Sequence, residues 1–173
     1  MIPINGSRVD LAFDALVRYF DTHKPIRPLG VRDAGAIEAS VARPFASFGD
    51  YEKYPSDFEK AAALMHSLTQ NHPYLNGNKR VALVGTFAWL IASGYSISPD
   101  LADADVIATA LRVASGRERK PNERADPDAD VQELASWLER VCTVKSGAAP
   151  SEDEALAHTL DRLRGALDVL ADC

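Results

Sequence analysis

The chain has 173 residues, enough for one domain with a substantial hydrophobic core and a short appendage. Hydrophobic residues make up 46% of the sequence and charged residues 25%, the balance of a soluble globular protein. The net charge of −6 argues against a general nucleic-acid-binding protein, which usually carries a basic surface.

The first third of the chain predicts two helices followed by a loop or short hairpin. A helix capped by Ser7 is predicted to run to about residue 23, and a shorter one capped by Asp33 to about residue 43. Residues 44–55 are polar and aromatic, with Gly49-Asp50 between two short segments that could be extended. This segment is predicted to be a loop or a hairpin.

Two helices are predicted in the middle of the chain, on either side of a short polar segment. Ser56 and Glu59 form a capping box that begins a helix ending near Asn71. Pro73 cannot continue that helix, because it lacks an amide hydrogen. Residues 81–93 are apolar on nearly every face and predict a central helix buried on all sides.

The following region predicts two more helices joined by a charged connector. Ser98 and Pro99 have the residue types of a cap and a first helical position, and this helix should run to about residue 115. Residues 116–128 are charged and contain two prolines, so we expect a solvated loop. A helix over residues 130–142 follows. Since no alternating strand pattern is found, the predicted fold class is all-α.

The last part of the chain is predicted to be an appendage, with a main domain at residues 1–145 and a linker plus helix at residues 146–173. Ser151 and Glu154 form a capping box at the start of the helix, predicted over residues 151–171. Its leucines alternate at spacings of four and three, as in one coiled-coil strand: Leu156, Leu160, Leu163, Leu167 and Leu170. We expect them to pack on the domain's own surface; the alternative is self-association or contact with a partner protein.

Targeting signals and metal-binding cysteines are not found. No apolar run approaches the ~20 residues of a membrane span, and the amino terminus lacks the pattern of a signal peptide. Cys142 and Cys173 have no metal-ligand spacing and are predicted to be free thiols in a reducing compartment. A cytoplasmic location is expected, without a membrane or nucleic-acid partner.

The candidate site is the segment between the two central helices, where residues 72–80 read HPYLNGNKR. The first amides of a helix have no internal partners and carry partial positive charge. Gly77 allows the backbone to approach an anion closely, and Lys79 and Arg80 add full charges, so the segment predicts a phosphate site. The alternative is an ordinary turn followed by a solvated helix start. The adjacent His72 favours a functional role.

Residues 72–80 resemble the signature HPFx(D/E)GN(G/K)R of the Fic/Doc superfamily, and Lys79 points to its Doc (death-on-curing) branch. The likeness covers roughly residues 1–145. It implies a helical bundle around the buried central helix, with residues 44–55 as a flap that docks a protein target as an added strand. It also implies that a nucleotide, with magnesium, binds at residues 76–80.

The resemblance also implies roles for individual residues. His72 would be the general base that takes a proton from a target hydroxyl. Gly77 and Asn78 would hold a nucleotide phosphate, and Lys79 and Arg80 would neutralise charge on the phosphoryl oxygens. Tyr74, at the family's phenylalanine position, should pack in the core with a partner for its hydroxyl.

Two departures from the family pattern affect the expected activity. AMP-transferring Fic enzymes carry a second arginine where this chain has Leu83, which favours a Doc-type kinase using ATP. Asn76 replaces the usual magnesium-binding carboxylate, so it offers a neutral oxygen as a metal ligand.

Three functions follow from the resemblance and are kept open. The favoured one is a Doc-like toxin that phosphorylates a Ser or Thr hydroxyl of elongation factor Tu and is restrained by a cognate antitoxin. The others are a Fic-type AMP transferase and a degenerate, non-catalytic binding module. A restraint in cis by residues 151–171 is an alternative to a separate antitoxin.

Overall fold

The computed structural model describes residues 1–115, 127–144 and 148–173. Over these ranges the α-helices are α1 Gly6–Tyr19, α2 Ala34–Ala42, α3 Asp57–Asn71, α4 Asn78–Ala92, α5 Asp103–Ser115, α6 Pro127–Val141, α7 Glu152–Arg162 and α8 Arg164–Leu170. The strands are β1 Ser47–Phe48, β2 Tyr51–Glu52, β3 Tyr95–Ile97 and β4 Cys142–Val144. The predicted all-α class is confirmed, because the strands form only two small sheets. None of the helices in the described ranges combines the length and the apolar character needed to cross a lipid bilayer.

Helix α4 is the centre of the bundle, as predicted. Every residue from Arg80 to Ala92 is buried, and α1, α3 and α7 pack around the helix. The helix begins at Asn78, however, three residues before the predicted start at Val81. Asn78, Lys79 and Arg80 therefore form the first turn of α4 instead of the end of a loop.

Several helix starts follow from local sequence and are confirmed. Ser56 and Glu59 form the complete capping box of α3. The Asp33 carboxylate accepts a hydrogen bond from the amide of Ala36 at 3.1 Å and caps α2. Ser151 and Glu154 form the capping box of α7. In each case the capping side chain lies within three residues of the amide that it satisfies, so these starts could be predicted locally.

The predicted boundaries of the first helix were wrong. The cap of α1 is Asn5, whose Oδ1 accepts from the amide of Arg8 at 3.1 Å, while Ser7 lies inside the helix. The helix ends at Tyr19, before the predicted end at His23.

Two later helices also begin at positions other than those predicted. Ser98 caps no helix: its Oγ accepts from the amide of Asp100 at 3.2 Å in a turn, and α5 begins only at Asp103. Helix α6 begins at Pro127, three residues earlier than predicted, which suits a proline in the first helical turn. Most of the predicted charged loop, residues 116–126, lies outside the described residues.

The segment after α2 forms a hairpin. After a single 3₁₀ turn at Arg43–Phe45, strands β1 and β2 pair antiparallel around a turn that contains Gly49. The side chains of Phe48 and Tyr51 are 91% and 70% exposed at its tip. The prediction of a loop or short hairpin is confirmed, and residues 47–52 are called the flap hairpin below.

A second small sheet was not predicted. Strands β3 and β4 pair antiparallel, with Tyr95 opposite Val144 and Ile97 opposite Cys142. Each strand has three residues, too few to show an alternating pattern in the sequence.

The predicted single helix over residues 151–171 was also wrong. The helix is interrupted at Leu163, so that α7 packs on α4 and α8 packs on α5. All five leucines are buried within the protomer. They face the chain's own core, which was the favoured interpretation, and the leucine seam is therefore not a free surface for self-association. Residues 145–147 of the predicted linker lie outside the described residues.

Candidate active site

His72 directly follows the last residue of α3 and lies in the sharp turn that ends the helix. His72 adopts a left-handed conformation with φ of 47°, which is uncommon for a residue other than glycine. The carbonyl of Asn71 accepts from Arg32 Nη2 at 2.7 Å, and that of Pro73 accepts from the Arg32 amide at 2.7 Å. Arg32 therefore fixes the end of α3 and the turn that carries His72.

Tyr74 anchors this turn in the core. It is 1% exposed, and its ring stacks on Phe13 with 4.2 Å between centroids. Its hydroxyl donates to Asp10 Oδ1 at 2.7 Å, and burial together with this carboxylate raises the pKa of Tyr74. The predicted core position and hydroxyl partner are both confirmed.

Asn78 closes the loop between Tyr74 and the start of α4. Its Oδ1 accepts from the Tyr74 amide at 2.9 Å, and its Nδ2 donates to the Tyr74 carbonyl at 2.8 Å. Both ends of the carboxamide are therefore engaged in shaping the loop. Asn78 lines the cleft described below, and its binding of a nucleotide stays a prediction.

Gly77 lies at a point that only glycine fits well. Its φ is +81°, and a Cβ placed there would be 3.1 Å from Ile26 Cδ1. The side chain of Asn76 stabilises the same turn, since its Nδ2 donates to the Arg27 carbonyl and its Oδ1 accepts from the Gly77 amide, each at 2.6 Å.

Asn76 alone would be a weak magnesium ligand. It supplies one neutral oxygen that already accepts a backbone hydrogen bond, whereas magnesium is usually held by carboxylates and phosphates in an octahedral shell. No group of three or more His, Cys, Asp or Glu side chains suited to a metal is found in the described ranges. Asn76 would fit a magnesium ion that is held mainly by the phosphates of a bound nucleotide.

Lys79 and Arg80 bring two cations to the first turn of α4. Lys79 Nζ donates to the carbonyl of Cys173 at 2.6 Å. The guanidinium of Arg80 is buried, lies 5.2 Å from the centroid of the Phe20 ring, and donates through Nη1 to the Lys24 carbonyl at 3.4 Å. Arg80 Nε has no hydrogen-bond partner among the described residues.

The predicted site residues share one cleft of about 420 Å³, a volume within the range of small-ligand sites. One side is formed by His72 and residues 75–80, and the other by residues 170–173. All six predicted site residues, His72, Asn76, Gly77, Asn78, Lys79 and Arg80, therefore meet in one place.

The electrostatics of the cleft favour a neutral imidazole. Burial, followed by the positive charges of Arg32 and Lys79, lowers the pKa of His72 below its ordinary value of 6.5. At neutral pH the ring is therefore mostly unprotonated and able to accept a proton.

Two cations of this region were missed from the sequence. Lys24 and Arg32 lie on the chain between α1 and α2, and no local pattern marks either as functional. The one available signal was that Arg32 belongs to the segment Gly30-Val31-Arg32-Asp33, which shares the resemblance to the Fic/Doc superfamily.

The chain is similar in sequence to known proteins. The sequence model described as "Fic/DOC family" matches residues 13–90, which include the loop before α4 and most of that helix. The protein named Toxin Doc from Mycolicibacterium smegmatis is 37% identical over 110 residues, covering 64% of this chain and 76% of the relative.

Proposed function

This chain belongs to the Fic/DOC family, on its Doc toxin branch, and we propose that it is a protein kinase that transfers the γ-phosphate of ATP to a Ser or Thr hydroxyl. Its similarity to Toxin Doc supports a Doc-like toxin. The kinase activity is the finer part of the proposal and rests on the site.

The observation that carries the proposal is the cleft itself. A mostly neutral imidazole at residue 72 and the cations Lys79 and Arg80 line the same cavity of about 420 Å³. Phosphoryl transfer requires little covalent chemistry from a protein and depends on positioning and on charge stabilisation. These side chains supply the base and the positive charge that the reaction requires.

Each residue then has a defined task. The His72 imidazole accepts the proton of the target hydroxyl as that oxygen attacks phosphorus. Lys79 and Arg80 stabilise negative charge on the phosphoryl oxygens, and the hydrogen bonds between Asn78 and Tyr74 keep the loop in shape. Bound ATP with magnesium would supply the phosphoryl group, with Asn76 as a minor metal ligand.

The leucine at position 83 favours the kinase over AMP transfer. The position that carries a second arginine in AMP-transferring relatives is here a leucine with 0% exposure in the core of α4. A leucine supplies no positive charge from this position, whereas the buried Arg80 on the same helix does line the cleft. AMP transfer remains the second candidate because His72, Asn78 and Arg80 are all present.

We propose a cognate antitoxin and elongation factor Tu as partners. The antitoxin follows from the toxin–antitoxin role of Doc proteins, and elongation factor Tu from the family resemblance. In the cell, phosphorylation of this target would arrest translation.

Labelled ATP tests the reaction directly. The protein is incubated with magnesium, elongation factor Tu and ATP carrying label on either the γ- or the α-phosphate. Label from the γ position on the target supports the kinase, and label from the α position would replace it with AMP transfer. Transfer of neither label would contradict both activities on this target.

Replacement of His72 tests the assignment of the base. We expect His72→Ala to lose transfer by about 10²-fold or more, the scale of general-base catalysis, and to be harmless when expressed without an antitoxin. His158→Ala, at an exposed position on α7, is the matched control and should behave as the wild type. Equal toxicity of the His72 variant at equal expression would disprove the assignment.

A further inference from the structure

One wall of the cleft comes from the end of the described chain. Residues 168–173, here called the acidic segment, run from the last turn of α8 past its end at Leu170. Its last four residues line the cleft opposite His72 and the first turn of α4. The carbonyl of Cys173 accepts a hydrogen bond from Lys79, one of the predicted phosphate-binding residues.

A third cation, Lys24, contacts the acidic segment beside the cleft, outside the residues that line it. Lys24 Nζ donates to Asp172 Oδ2 at 2.5 Å and to the carbonyl of Asp168 at 2.9 Å, across 148 and 144 residues of sequence. Lys24 itself is held in a left-handed conformation with φ of 53°, and its carbonyl accepts from Arg80. Strained backbone of this kind tends to occur at functional sites.

The Asp172 carboxylate also interacts electrostatically with the Arg80 guanidinium. The Nε of the buried Arg80 guanidinium lacks a partner within the described ranges, and the carboxylates of Asp172 and Asp168 raise the pKa of Arg80 against the larger lowering effect of burial. The Asp172 carboxylate thus lies in a field made by Lys24 and Arg80 beside the predicted phosphate site.

We propose that Lys24, at the edge of this cleft, binds a phosphate of a nucleoside triphosphate, and that the Asp172 carboxylate occupies the phosphate position until the nucleotide displaces it. The inference rests on the proposed function for the identity of the ligand. It adds Lys24 to the site as a phosphate-binding residue and Asp172 as a carboxylate that competes with the phosphate.

The contacts indicate which part of the segment moves. Leu167 and Leu170 are buried and fix α8, whereas the side chain of Asp172 is 67% exposed. Exposed ion pairs contribute little, about 1 kcal/mol or less. A triphosphate carries several negative charges and can therefore replace a single exposed carboxylate, while residues up to Leu170 stay in place.

Binding of magnesium-ATP, measured by calorimetry, tests both halves of the proposal. Asp172→Asn removes the competing charge and should tighten ATP binding by up to about fivefold. Asp100→Asn is the control, because it changes the net charge equally at an exposed loop position. An affinity of Asp172→Asn equal to that of the wild type would overturn the competition.

Lys24→Gln is best measured in the Asp172→Asn background. In the wild-type background it removes both the contact that holds Asp172 and the contact proposed for phosphate, so the two effects oppose each other. With Asp172 already neutral, we expect Lys24→Gln to weaken ATP binding by about tenfold, as for loss of a charged hydrogen bond. An unchanged affinity would overturn the assignment of Lys24.

Displacement of the segment can be observed without any activity. Cys173 is exposed, whereas Cys142 is buried with its pKa raised to about 12, so a thiol-reactive fluorophore will label Cys173 selectively. In labelled protein, ATP should change the emission with the same Kd as in calorimetry, and no change at saturation would overturn the displacement. These measurements of binding and emission do not require phosphoryl transfer, so they stay valid if the protein proves not to be a kinase. If the protein is a kinase but ATP does not displace the acidic segment, only the present inference is refuted.

Discussion

The protonation state of His72 depends on burial and on two cations beside it. Arg32 and Lys79 both lower its pKa, and Arg32 also holds the turn before His72 through its hydrogen bond to the Asn71 carbonyl. We expect Arg32→Gln to raise the pKa of His72 toward 6.5, because one repelling charge is removed. The fraction of neutral imidazole then falls at a given acidic pH, so the acid limb of the activity profile should move to higher pH.

The shift is measured by titrating the His72 ring by nuclear magnetic resonance and by recording the transfer rate against pH. Arg18→Gln, an exposed position near the end of α1, is a control that removes the same charge elsewhere. A His72 pKa that stays constant or falls in Arg32→Gln would show that Arg32 does not act on the ring.

Gly77 tests how tightly the cleft loop is packed. Alanine at this position must adopt φ of +81° and press on Ile26, so Gly77→Ala should lower the free energy of unfolding by about 2–3 kcal/mol. Gly94 has φ of +97°, and a Cβ added there would have nothing within 4 Å, so its replacement by alanine should cost only the backbone term, about 1–2 kcal/mol. Urea unfolding of both variants measures the difference, and equal losses would rule out the contact with Ile26.

At the scale of elements, the flap hairpin is held by the tyrosine that follows it. The Tyr54 hydroxyl accepts from Arg43 Nε at 3.1 Å and donates to Asp128 Oδ1 at 3.3 Å, which links the hairpin to α6. Tyr54→Phe should lower the free energy of unfolding by about 1 kcal/mol, because the partly buried Arg43 Nε loses its hydrogen-bond partner. Chemical denaturation measures the loss.

Tyr51→Phe provides the comparison for the flap hairpin. Tyr51 is 70% exposed at the hairpin tip, so removing its hydroxyl should change stability by less than about 0.5 kcal/mol. If both variants lost the same stability, the bonds between Tyr54, Arg43 and Asp128 would not be what holds the hairpin.

The elements that sequence could predict are those whose cause is local. The capping boxes of α3 and α7 and the apolar run that buries α4 on all sides follow from residues a few positions apart. The start of α5, the break at Leu163 and the β3–β4 sheet depend on contacts between distant parts of the chain, so local patterns misplaced or missed them. Pairing of Tyr95 with Val144 illustrates this, since neither segment predicts a strand alone.

The candidate site divides in the same way. Six of its residues lie within positions 72–80, so a contiguous motif was enough to predict that they share a cleft. Lys24 and Asp172 meet across 148 residues of sequence, and only the packing of α8 brings them together. Arg80 was predicted to supply positive charge to the site, but its burial against Phe20 is seen only in the structure.

At the scale of the whole molecule, α7 and α8 are part of the bundle's packing. Helix α7 covers α4, the helix whose first turn forms the candidate site, and α8 packs on α5. Deleting both helices would expose buried apolar surface on α4. An effect of removing the acidic segment could then not be distinguished from an effect of unfolding the bundle. Point variants at Asp172 and Lys24 avoid this problem, since both side chains are partly exposed.

This packing predicts that the chain unfolds as one cooperative unit and not as a domain with a separate appendage. Leu167 on α8 is fully buried, so Leu167→Ala should cost about 2–5 kcal/mol, whereas Val169→Ala at a position 45% exposed should cost far less. Trp137 on α6 lies away from α7 and α8, whereas Trp89 on α4 lines a small cavity with Leu156 of α7, so the fluorescence is recorded in a Trp89→Phe background, where Trp137 reports on the rest of the bundle. In Leu167→Ala the fluorescence and helical circular dichroism transitions should shift together to lower denaturant concentration. An early partial loss of helix with an unshifted tryptophan transition would instead show that residues 146–173 fold as an appendage.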